Sequence, residues 1–455
     1  MILAILSSCN DVINNQPEAV LPIPFQEQID WQKLETYAFI HFGLNTYNDL
    51  EWGYGNTPAS TFNPVNLDCE QWVATLKQCG MKGVILTAKH HDGFCLWQTE
   101  TTDYSIANSP YKNGKGDMVK ELSDACKKYG LKFGLYLSPW DIHEPSYGYY
   151  DESGAALVGS NGQPLNNKTW EEVDELDVND YNEFYKNQLL EVLGNNKYGN
   201  NGKFVEVWMD GAKGSGASTQ NYTFQEWFRV IEEQEPGCLL FGAEAYTTVR
   251  WIGNEHGYAN EETWAKSRAN KDNNTIDNNR TGSQGTTKGF PDGNQWTVPE
   301  ADARITSGWF WGNGKKTPKS MEELGNMYFD SVGHNATLLL NVPPNNQGKV
   351  DQPILDRVTE FGNAIKQIFA VNLAAGATVK ADLSKYSDMD PSAWYYDEFS
   401  KAVQMRVFEG DGSGRMYPDS NITREEVFAV VARALVLTTD DHSHLNKFGD
   451  KEKIS

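Results

Sequence analysis

Carboxylates, histidines and aromatic residues follow several short apolar segments of this chain, where the strands of an α/β fold would end. Asp210 and Glu255 follow separate segments, and Trp208 shares the strand face of Asp210. An ionised carboxylate paired with a protonated carboxyl group is the combination that hydrolyses glycosidic bonds. Histidines would hydrogen-bond sugar hydroxyls, and tryptophan rings would pack on a sugar face. The candidates at strand ends are His41, His90, His91, Asp92, Tyr136, Trp140, Trp208, Asp210 and Glu255.

A metal-dependent hydrolase is the alternative, with the consecutive residues His90, His91 and Asp92 as ligands. Neighbouring residues of a strand point to opposite faces, so we expect these three side chains not to converge on one ion. The sequence also lacks the helical HExxH pattern of zinc hydrolases. We therefore predict neither a metal site nor a cofactor.

The elements that must position these residues alternate between short β-branched or aromatic segments and amphipathic helices. Repeated β–α units of this length predict a parallel sheet covered by helices. Seven strands, with an eighth near Ile305–Trp311, predict a (β/α)8 TIM-like barrel. An open doubly wound sheet is the alternative, although no glycine-rich phosphate loop follows the first strand. The seven strands are predicted at Tyr37–Phe42, Gly83–Ala88, Lys132–Ser138, Phe204–Met209, Cys238–Ala243, Val249–Gly253 and Ala336–Val342, and helices at Leu67–Cys79, Asp117–Tyr129, Tyr181–Leu193, Thr223–Glu235 and Met321–Val332.

Two long polar insertions interrupt this alternation, at residues 144–179 and 256–295. Both are rich in Asn, Gly, Asp and Thr, and both follow predicted strands. Loops that follow the strands of a barrel lie at its catalytic rim. We therefore expect the two insertions to wall the substrate cleft.

The composition of the 455-residue chain excludes several classes of partner. Lys and Arg total 39 against 62 for Asp and Glu, which gives a formal net charge of −23. A surface this acidic argues against a nucleic-acid or anionic-membrane partner and suits a neutral ligand. No segment reaches the ~18–20 apolar residues of a transmembrane helix, so we expect no membrane span.

The N-terminal segment has the features of an export signal. Residues 6–9 read Leu-Ser-Ser-Cys, which is similar to the end of a bacterial lipoprotein signal with Cys9 as the lipidated residue. The polar, proline-bearing stretch that follows is typical of a tether. We interpret residues 1–24 as a signal remnant and tether, and we expect the protein outside the cytoplasm, in a bacterial cell envelope or secreted, with Cys9 as a lipid anchor.

Six segments carry a resemblance to a known family. They read FIHFGLNTYNDLEWGYG, TAKHHDGFCLW, GLYLSPWD, VWMDGA, RWIGNE and LLLNVPPN, in this order between residues 39 and 345. Together they resemble glycoside hydrolase family 29, the α-L-fucosidases, over roughly residues 25 to 370. The EWG segment and the GNE context are most similar to the subgroup that acts on α-1,3- and α-1,4-linked fucose in branched glycans.

The resemblance implies a retaining double displacement with no cofactor. Asp210 of VWMDGA takes the place of the nucleophile, and Glu255 of RWIGNE takes the place of the general acid/base. Retention implies that the two carboxyl groups lie about 5 to 5.5 Å apart. A surface carbohydrate-binding protein on a barrel that has lost catalysis is the alternative, against which the presence of both carboxylates speaks. The implied fucose pocket comprises His41, Glu51, Trp52, His90, His91, Tyr136 and Trp208, with Arg250 as a further candidate.

The C-terminal part departs from the family, whose members usually continue into a β-sandwich. We assign residues 25–372 to the catalytic barrel, 373–385 to a linker, 386–437 to a segment that resembles an S-layer homology repeat, and 438–455 to the truncated start of a second repeat. The signature ITRE includes Arg424. The resemblance implies binding to an anionic cell-wall polymer, with Arg424 as its contact. A short helical appendage without a ligand is the alternative.

Overall fold

A computed structural model of the protein describes residues 21–148, 163–176, 181–200, 202–212, 222–277, 283–371 and 382–405, single positions between these ranges, and discontinuous positions from 407 to 433. The chain divides into two compact units, of which the larger runs from Val20 to Ala370. The predictions for Cys9 and the segment before residue 21, for most of the linker, for Arg424 and for residues 438–455 lie outside the described residues.

Eight parallel strands close into a barrel in which each strand pairs with its neighbours in chain order. Ala38 of the first strand pairs with Leu340 of the last and with Val84 of the second, which completes the ring. The predicted (β/α)8 barrel is confirmed. We number its strands β1 (Thr36–Ile40), β2 (Gly83–Lys89), β3 (Lys132–Leu137), β4 (Glu206–Trp208), β5 (Leu239–Phe241), β6 (Val249–Trp251), β7 (Val298–Arg304) and β8 (Thr337–Asn341).

Helices connect most of the strands, and their ends follow local sequence signals. The helix Met118–Tyr129 begins after Asp117, whose carboxylate accepts the backbone N–H of Lys120 at 3.0 Å, and ends at Gly130 with φ +69°. The helices are α1 (Gln26–Gln32), α2 (Leu44–Asn48), α3 (Cys69–Gln78), α4 (Met118–Tyr129), α5 (Trp170–Leu176), α6 (Tyr181–Val192), α7 (Phe224–Gln234), α8 (Gln284–Thr287), α9 (Met321–Ser331), α10 (Gln352–Ile368) and α11 (Tyr396–Gln404).

The strand predicted near Ile305–Trp311 lies instead at Val298–Arg304, as β7, so the predicted position was wrong. The strand carries Glu300 and Asp302, two carboxyl groups that are buried. Buried strands of a parallel barrel usually read as continuous apolar segments. The apolar and aromatic segment Ile305–Trp311 therefore fits the sequence pattern of a strand better than Val298–Arg304 does.

Two apolar layers hold the barrel together. The inner layer fills the barrel with aromatic and branched residues, among them Phe39, Tyr136 and Phe241. The outer layer lies between strands and helices, where Trp72 and Trp227 are fully buried. This packing fixes the strand ends from which the functional side chains project.

Both insertions contain short regular elements. The first includes α5, and the second includes α8 and two pairs of two-residue antiparallel strands. The link between β5 and β6 carries a single turn of 3-10 helix at Glu244–Tyr246 in place of a full helix. The rim between β5 and β7 is therefore built mainly from loops.

The second unit has a small apolar core of its own, formed by Leu383, Tyr386, Met389, Tyr395 and Met416. Its helix α11 carries part of this packing through Phe399. Among the residues that the structure describes, no helix is both long and apolar enough to span a membrane.

Candidate active site

A cavity of about 420 Å³ opens at the carboxyl ends of the barrel strands. The structure brings most of the sequence-predicted site residues of the barrel together in its lining, because the ends of all strands of a closed barrel meet at one rim. These residues are His41, Glu51, Trp52, His90, His91, Tyr136, Trp208, Asp210, Arg250 and Glu255. The candidates Asp92 and Trp140 are buried and do not line the cavity, although Trp140 packs against His91 and Trp52.

Asp210 lies two residues beyond β4, with its two carboxylate oxygens in different surroundings. Oδ1 accepts the backbone N–H of Ala212 at 2.8 Å, which fixes the side chain against its own turn. Oδ2 accepts the hydroxyl of Tyr136 at 3.0 Å and lies 3.7 Å from Nε2 of His91. Burial, together with the charge of Asp210, raises the pKa of Tyr136 well above its usual value, so the phenol remains a donor. Asp210 thus presents a held carboxylate that is still 29% exposed to the cavity.

The hydrogen bonds of His91 define its tautomer. The hydroxyl of Ser138 donates its one hydrogen to the carbonyl of Trp140 at 2.6 Å. Its oxygen must then accept from Nδ1 of His91, at 2.7 Å. Burial lowers the pKa of His91, although the charge of Asp210 opposes the shift. The neutral ring therefore turns the lone pair of Nε2 toward the cavity.

His41 and His90 are likewise buried and neutral. Asn341 donates to the carbonyl of Trp309 at 2.7 Å, so its amide oxygen faces His41 and accepts from Nδ1 at 2.8 Å. Burial lowers the pKa of His41 to about 3 and that of His90 well below its usual value. The ring of His90 stacks on Tyr136 at 5.3 Å between centroids. Three uncharged imidazoles at one wall suit the hydroxyls of a neutral ligand.

The expectation that His90 and His91 point to opposite faces was wrong. Their ring centroids lie 4.3 Å apart, and both rings line the cavity. The reason is that β2 ends at Lys89, so the alternation of a strand does not extend to these residues. Across the part of the chain that the structure describes, no three His, Cys, Asp or Glu residues are arranged to hold a metal ion.

Glu255 lies on a turn after β6, across the cavity rim. The turn reverses at Gly253, whose φ of +90° lies in the left-handed region that favours glycine. Asn254 closes it by accepting the backbone N–H of His256 at 3.0 Å. Oε2 of Glu255 accepts the indole N–H of Trp309 at 3.1 Å and lies 3.8 Å from the guanidinium of Arg304. This second carboxylate is more open than Asp210, with 47% of its side chain exposed.

Glu51 and Trp52 lie beside each other at the rim but have different surroundings. The carboxylate of Glu51 accepts the backbone N–H of Trp309 at 2.9 Å and pairs with Lys315 at 2.7 Å. Trp52 packs edge-on against His91 and Trp140, while 55% of its surface remains exposed. Glu51 therefore fixes the neighbouring loop, and Trp52 leaves an apolar ring free for a ligand.

Trp208 lines the cavity two residues before Asp210, with its ring between those of the two neighbouring strands. Its indole stacks on Phe241 at 3.7 Å and on Tyr136 at 5.2 Å between ring centroids. Its N–H donates to the buried carboxyl of Glu300 at 2.7 Å, which fixes the ring in its plane. Aromatic rings, neutral acceptors on one wall and two separate carboxylates are the parts that glycoside hydrolysis requires.

Comparison with known proteins decides the family. Residues 20–368 match the family described as alpha-L-fucosidase. The chain belongs to this family of glycoside hydrolases. It is 40% identical to alpha-L-fucosidase 1 of Arabidopsis thaliana over 83% of this chain and 67% of that protein. It is also 40% identical to the putative alpha-L-fucosidase 1 of Oryza sativa subsp. japonica, over 80% of this chain and 63% of the rice protein.

Solved structures of fucosidases resemble the barrel. A Ruminococcus gnavus GH29 fucosidase in complex with fucose is 57% identical, with a TM-score of 0.72 over 79% of this chain and 71% of that chain. A putative alpha-L-fucosidase from Bacteroides ovatus is 37% identical, with a TM-score of 0.62 over 77% of this chain and 57% of that chain. Residues 385–428 of this fucosidase match the S-layer homology domain, which agrees with the resemblance read from the sequence.

Several residues of the fucosidase cavity are not among those predicted from the sequence. Trp309, Asp302 and Glu244 line it, and Arg304 contacts Glu255 from the same side. Trp309 lies in the segment predicted as a strand near Ile305–Trp311. The structure places it in a loop that lines the cavity. The aromatic string at residues 309–311 was the available signal, because three large rings after a barrel strand suit a sugar-binding rim.

The two insertions of the fucosidase differ in their relation to the cavity. Ile276 of the second insertion lines it, whereas no described residue of the first does. Arg250 anchors the second insertion, since its guanidinium donates to the carbonyls of Trp264, at 2.8 Å, and Thr286. Burial lowers the pKa of Arg250 to about 9. Arg250 therefore holds the rim in place. The N–H groups that it uses for this purpose are not available to a sugar.

Proposed function

We propose that the protein is a retaining exo-α-L-fucosidase that releases terminal α-1,3- or α-1,4-linked L-fucose from glycans by double displacement. The observation that carries the proposal is that Asp210 and Glu255 line one cavity from two different strands. The solved relative from Ruminococcus gnavus, which was captured with fucose, supports the choice of sugar.

In the first step, Asp210 attacks the anomeric carbon while Glu255 gives its proton to the departing glycosidic oxygen. In the second step, Glu255 takes a proton from water as the water oxygen displaces Asp210 from the sugar. The contacts of Asp210 support its role, because Ala212 and Tyr136 hold the carboxylate and no Lys or Arg among the described residues forms an ion pair with it. The greater exposure of Glu255 supports a group that meets both the leaving oxygen and water.

The remaining cavity residues bind the fucose unit in this proposal. The neutral rings of His41, His90 and His91 accept hydrogen bonds from its hydroxyls, and Tyr136 orients the nucleophile. Glu51 accepts from a further hydroxyl with the carboxylate lone pairs that Trp309 and Lys315 leave open. The exposed ring of Trp52 packs against carbon-bound hydrogens of the sugar, and Trp208 contacts the sugar through the edge of its ring.

Two substitutions test the catalytic pair. Asp210→Asn should abolish fucose release from every substrate, because the amide cannot form the glycosyl ester. Glu255→Gln should slow hydrolysis of natural glycans far more than hydrolysis of aryl fucosides, whose leaving groups need no proton. Asp356→Asn on the exposed face of α10 is a matched control and should leave both rates unchanged.

The outcome is read from free fucose and from the first anomer in proton NMR. Release of α-L-fucose first agrees with retention, and release of the β-anomer first would overturn it. Wild-type-like turnover of Asp210→Asn would refute the assignment of the nucleophile. Binding of fucosylated glycans without any release would instead favour a carbohydrate-binding protein that lacks catalysis.

Linkage preference is tested with a panel of α-1,2-, α-1,3-, α-1,4- and α-1,6-fucosylated oligosaccharides. Support for α-1,3/1,4 specificity comes from the EWG and GNE segments, which include Trp52 and Glu255. The cavity lining also includes Glu244 from the loop between β5 and β6 and Ile276 from the second insertion, which supports contacts with an acceptor beyond the fucose unit. Cleavage confined to α-1,2 or α-1,6 linkages would contradict this proposal.

We further propose that the protein acts outside the cytoplasm at a bacterial cell envelope. The match of residues 385–428 to the S-layer homology domain supports binding to an anionic wall polymer. Arg424→Ala should reduce co-sedimentation with purified cell walls, whereas Arg229→Ala on the surface of α7 should not. Equal co-sedimentation of the two variants would remove Arg424 from the binding site. Lipid attachment at Cys9 predicts fatty-acid labelling that Cys9→Ser abolishes.

A further inference from the structure

Glu255 lies at the tip of a turn, and few contacts from the described part of the chain restrict its side chain. Nearly half of its side chain faces solvent. A glutamate in this position would ordinarily sample several rotamers, which conflicts with the geometry that proton transfer to one oxygen demands. The contacts that do restrict Glu255 come from β7 and from the loop that follows it.

Both of these contacts reach the same oxygen. The indole N–H of Trp309 donates to Oε2 at 3.1 Å, and the guanidinium of Arg304 lies 3.8 Å from Oε2. Among the described residues, Oε1 receives no hydrogen bond. The two oxygens of Glu255 are therefore chemically distinct before any ligand binds.

Trp309 is held at each of its polar groups. Its backbone N–H donates to Glu51, its carbonyl accepts from Asn341, and its indole N–H donates to Glu255. The centroid of its ring lies 4.9 Å from that of His41. The guanidinium of Arg304 lies over the same ring, 5.3 Å from its centroid. A tryptophan fixed in this way offers a donor whose direction does not change.

The strand that carries Arg304 is itself tied to the turn of Glu255. Ala303 forms a bridge with His256, the residue after Glu255. Asp302 accepts the indole N–H of Trp251 at 2.8 Å, and its buried carboxyl group is the acidic neighbour of Glu255 on this strand. The turn of Glu255 is therefore attached to β7, and Arg304 of this strand is the cation that faces the carboxylate.

We propose that Trp309 and Arg304 are positioning residues for the acid/base step and that they reserve Oε1 of Glu255 as the oxygen that transfers the proton. The inference rests on the proposed role of Glu255. In glycosylation the proton leaves Oε1 for the glycosidic oxygen as the bond from that oxygen to the anomeric carbon breaks. In deglycosylation Oε1 takes a proton from the attacking water. Oε2 keeps its two partners throughout.

Trp309→Phe tests the inference, because it retains an aromatic ring over His41 and removes the N–H. The value of kcat/KM for a fucosylated oligosaccharide should fall about tenfold more than that for a 2,4-dinitrophenyl fucoside, the usual effect of one hydrogen bond to a charged group. The aryl fucoside is the informative reference, since its glycosylation step needs no acid. A loss of packing alone would lower both values equally and would overturn the proposal.

Trp311→Phe is the matched control. Trp311 also donates its indole N–H to a carboxylate, that of Asp351 at 2.7 Å, but it does not line the cavity. This variant should leave the ratio of the two kcat/KM values at its wild-type level. A change equal to that of Trp309→Phe would show that the ratio does not report on Glu255.

Arg304→Gln tests the contribution of the arginine. It should shift the same ratio in the same direction, and the double variant should fall short of the product of the two single effects, because both residues act on one oxygen. Strictly multiplicative effects, or no shift with Arg304→Gln, would remove Arg304 from the proposal. Wild-type protein is assayed first on both substrates, and an absence of fucose release there would refute the proposed function without bearing on this positioning.

Discussion

The buried ion pair between Lys89 and Asp141 tests how the barrel supports its histidine wall, the neutral rings of His41, His90 and His91. Lys89 is the last residue of β2, directly before His90, and its side chain is fully buried. Its ammonium lies 3.1 Å from Oδ2 of Asp141, 2.8 Å from Oε1 of Gln188 and 3.3 Å from the hydroxyl of Tyr181. The side chain of Asp141 is only 2% exposed.

Lys89→Met removes the charge and keeps the length of the side chain. The carboxylate of Asp141 then stays buried without its lysine, although Oδ1 still accepts the backbone N–H groups of His143 and Glu144. Loss of one partner of a buried pair costs about 3–5 kcal/mol of unfolding free energy. We expect a loss of this size, together with a lower kcat/KM, because the end of β2 positions His90.

Urea unfolding followed by tryptophan fluorescence measures the effect on the barrel, since Trp394 is the one tryptophan beyond residue 311. Lys120→Met is the matched control, because Lys120 pairs with Asp124 at the surface of α4 and such a pair is worth about 0.3–0.5 kcal/mol. The double variant Lys89→Met/Asp141→Asn should recover part of the loss. A cost below about 1 kcal/mol for Lys89→Met would refute the reasoning, since a buried unpaired carboxylate cannot be that inexpensive.

Two further predictions concern a buried carboxyl group and a glycine. Burial raises the pKa of Asp92 to about 7, so the folded protein keeps a proton that the unfolded chain releases above about pH 4, and stability falls by roughly 4 kcal/mol as the pH rises to 7. Asp92→Asn should remove this contribution from the pH slope of thermal unfolding measured between pH 4.5 and 8, whereas the contribution of Glu300, whose pKa burial also raises to about 7, should remain. An unchanged slope would assign the whole of it to other groups. Gly253→Ala combines a φ of +90° with a Cβ 2.9 Å from Thr286, so it should cost about 1 kcal/mol or more and lower kcat on glycans by displacing the turn of Glu255. Gly314→Ala, with a φ of +75° and open space around its Cβ, should leave kcat unchanged.

The barrel was predictable because its pattern is repeated. Strands such as β2 and β8 are short, apolar and bounded by helix signals, and the seven predicted segments each contain an observed strand or most of one. Strand β7 lacks this apolar pattern because it carries Glu300 and Asp302, whose carboxyl groups face partners inside the protein rather than solvent. Polarity in a sequence cannot distinguish a carboxyl group that is satisfied internally from one that faces water.

The meeting of the site residues was predictable from topology, but their hydrogen bonds were not. A closed barrel brings the ends of β1, β2 and β4 to one rim, which is enough to place His41, His90 and Asp210 together. The tautomer of each histidine depends on partners that lie far away in sequence, such as Asn341 for His41. These partners follow from tertiary packing, and no local pattern of residues records them.

The charge state of the histidine wall explains why an acidic protein can use so many imidazoles in one cavity. Protonated rings beside Asp210 would form ion pairs with this carboxylate, the proposed nucleophile, and would attract anions. Burial lowers the pKa of His41, His90 and His91, so the rings stay neutral and offer lone pairs to hydroxyls instead. The same burial that stabilises the barrel therefore selects an uncharged polyol over an anionic ligand, in agreement with the net charge of −23.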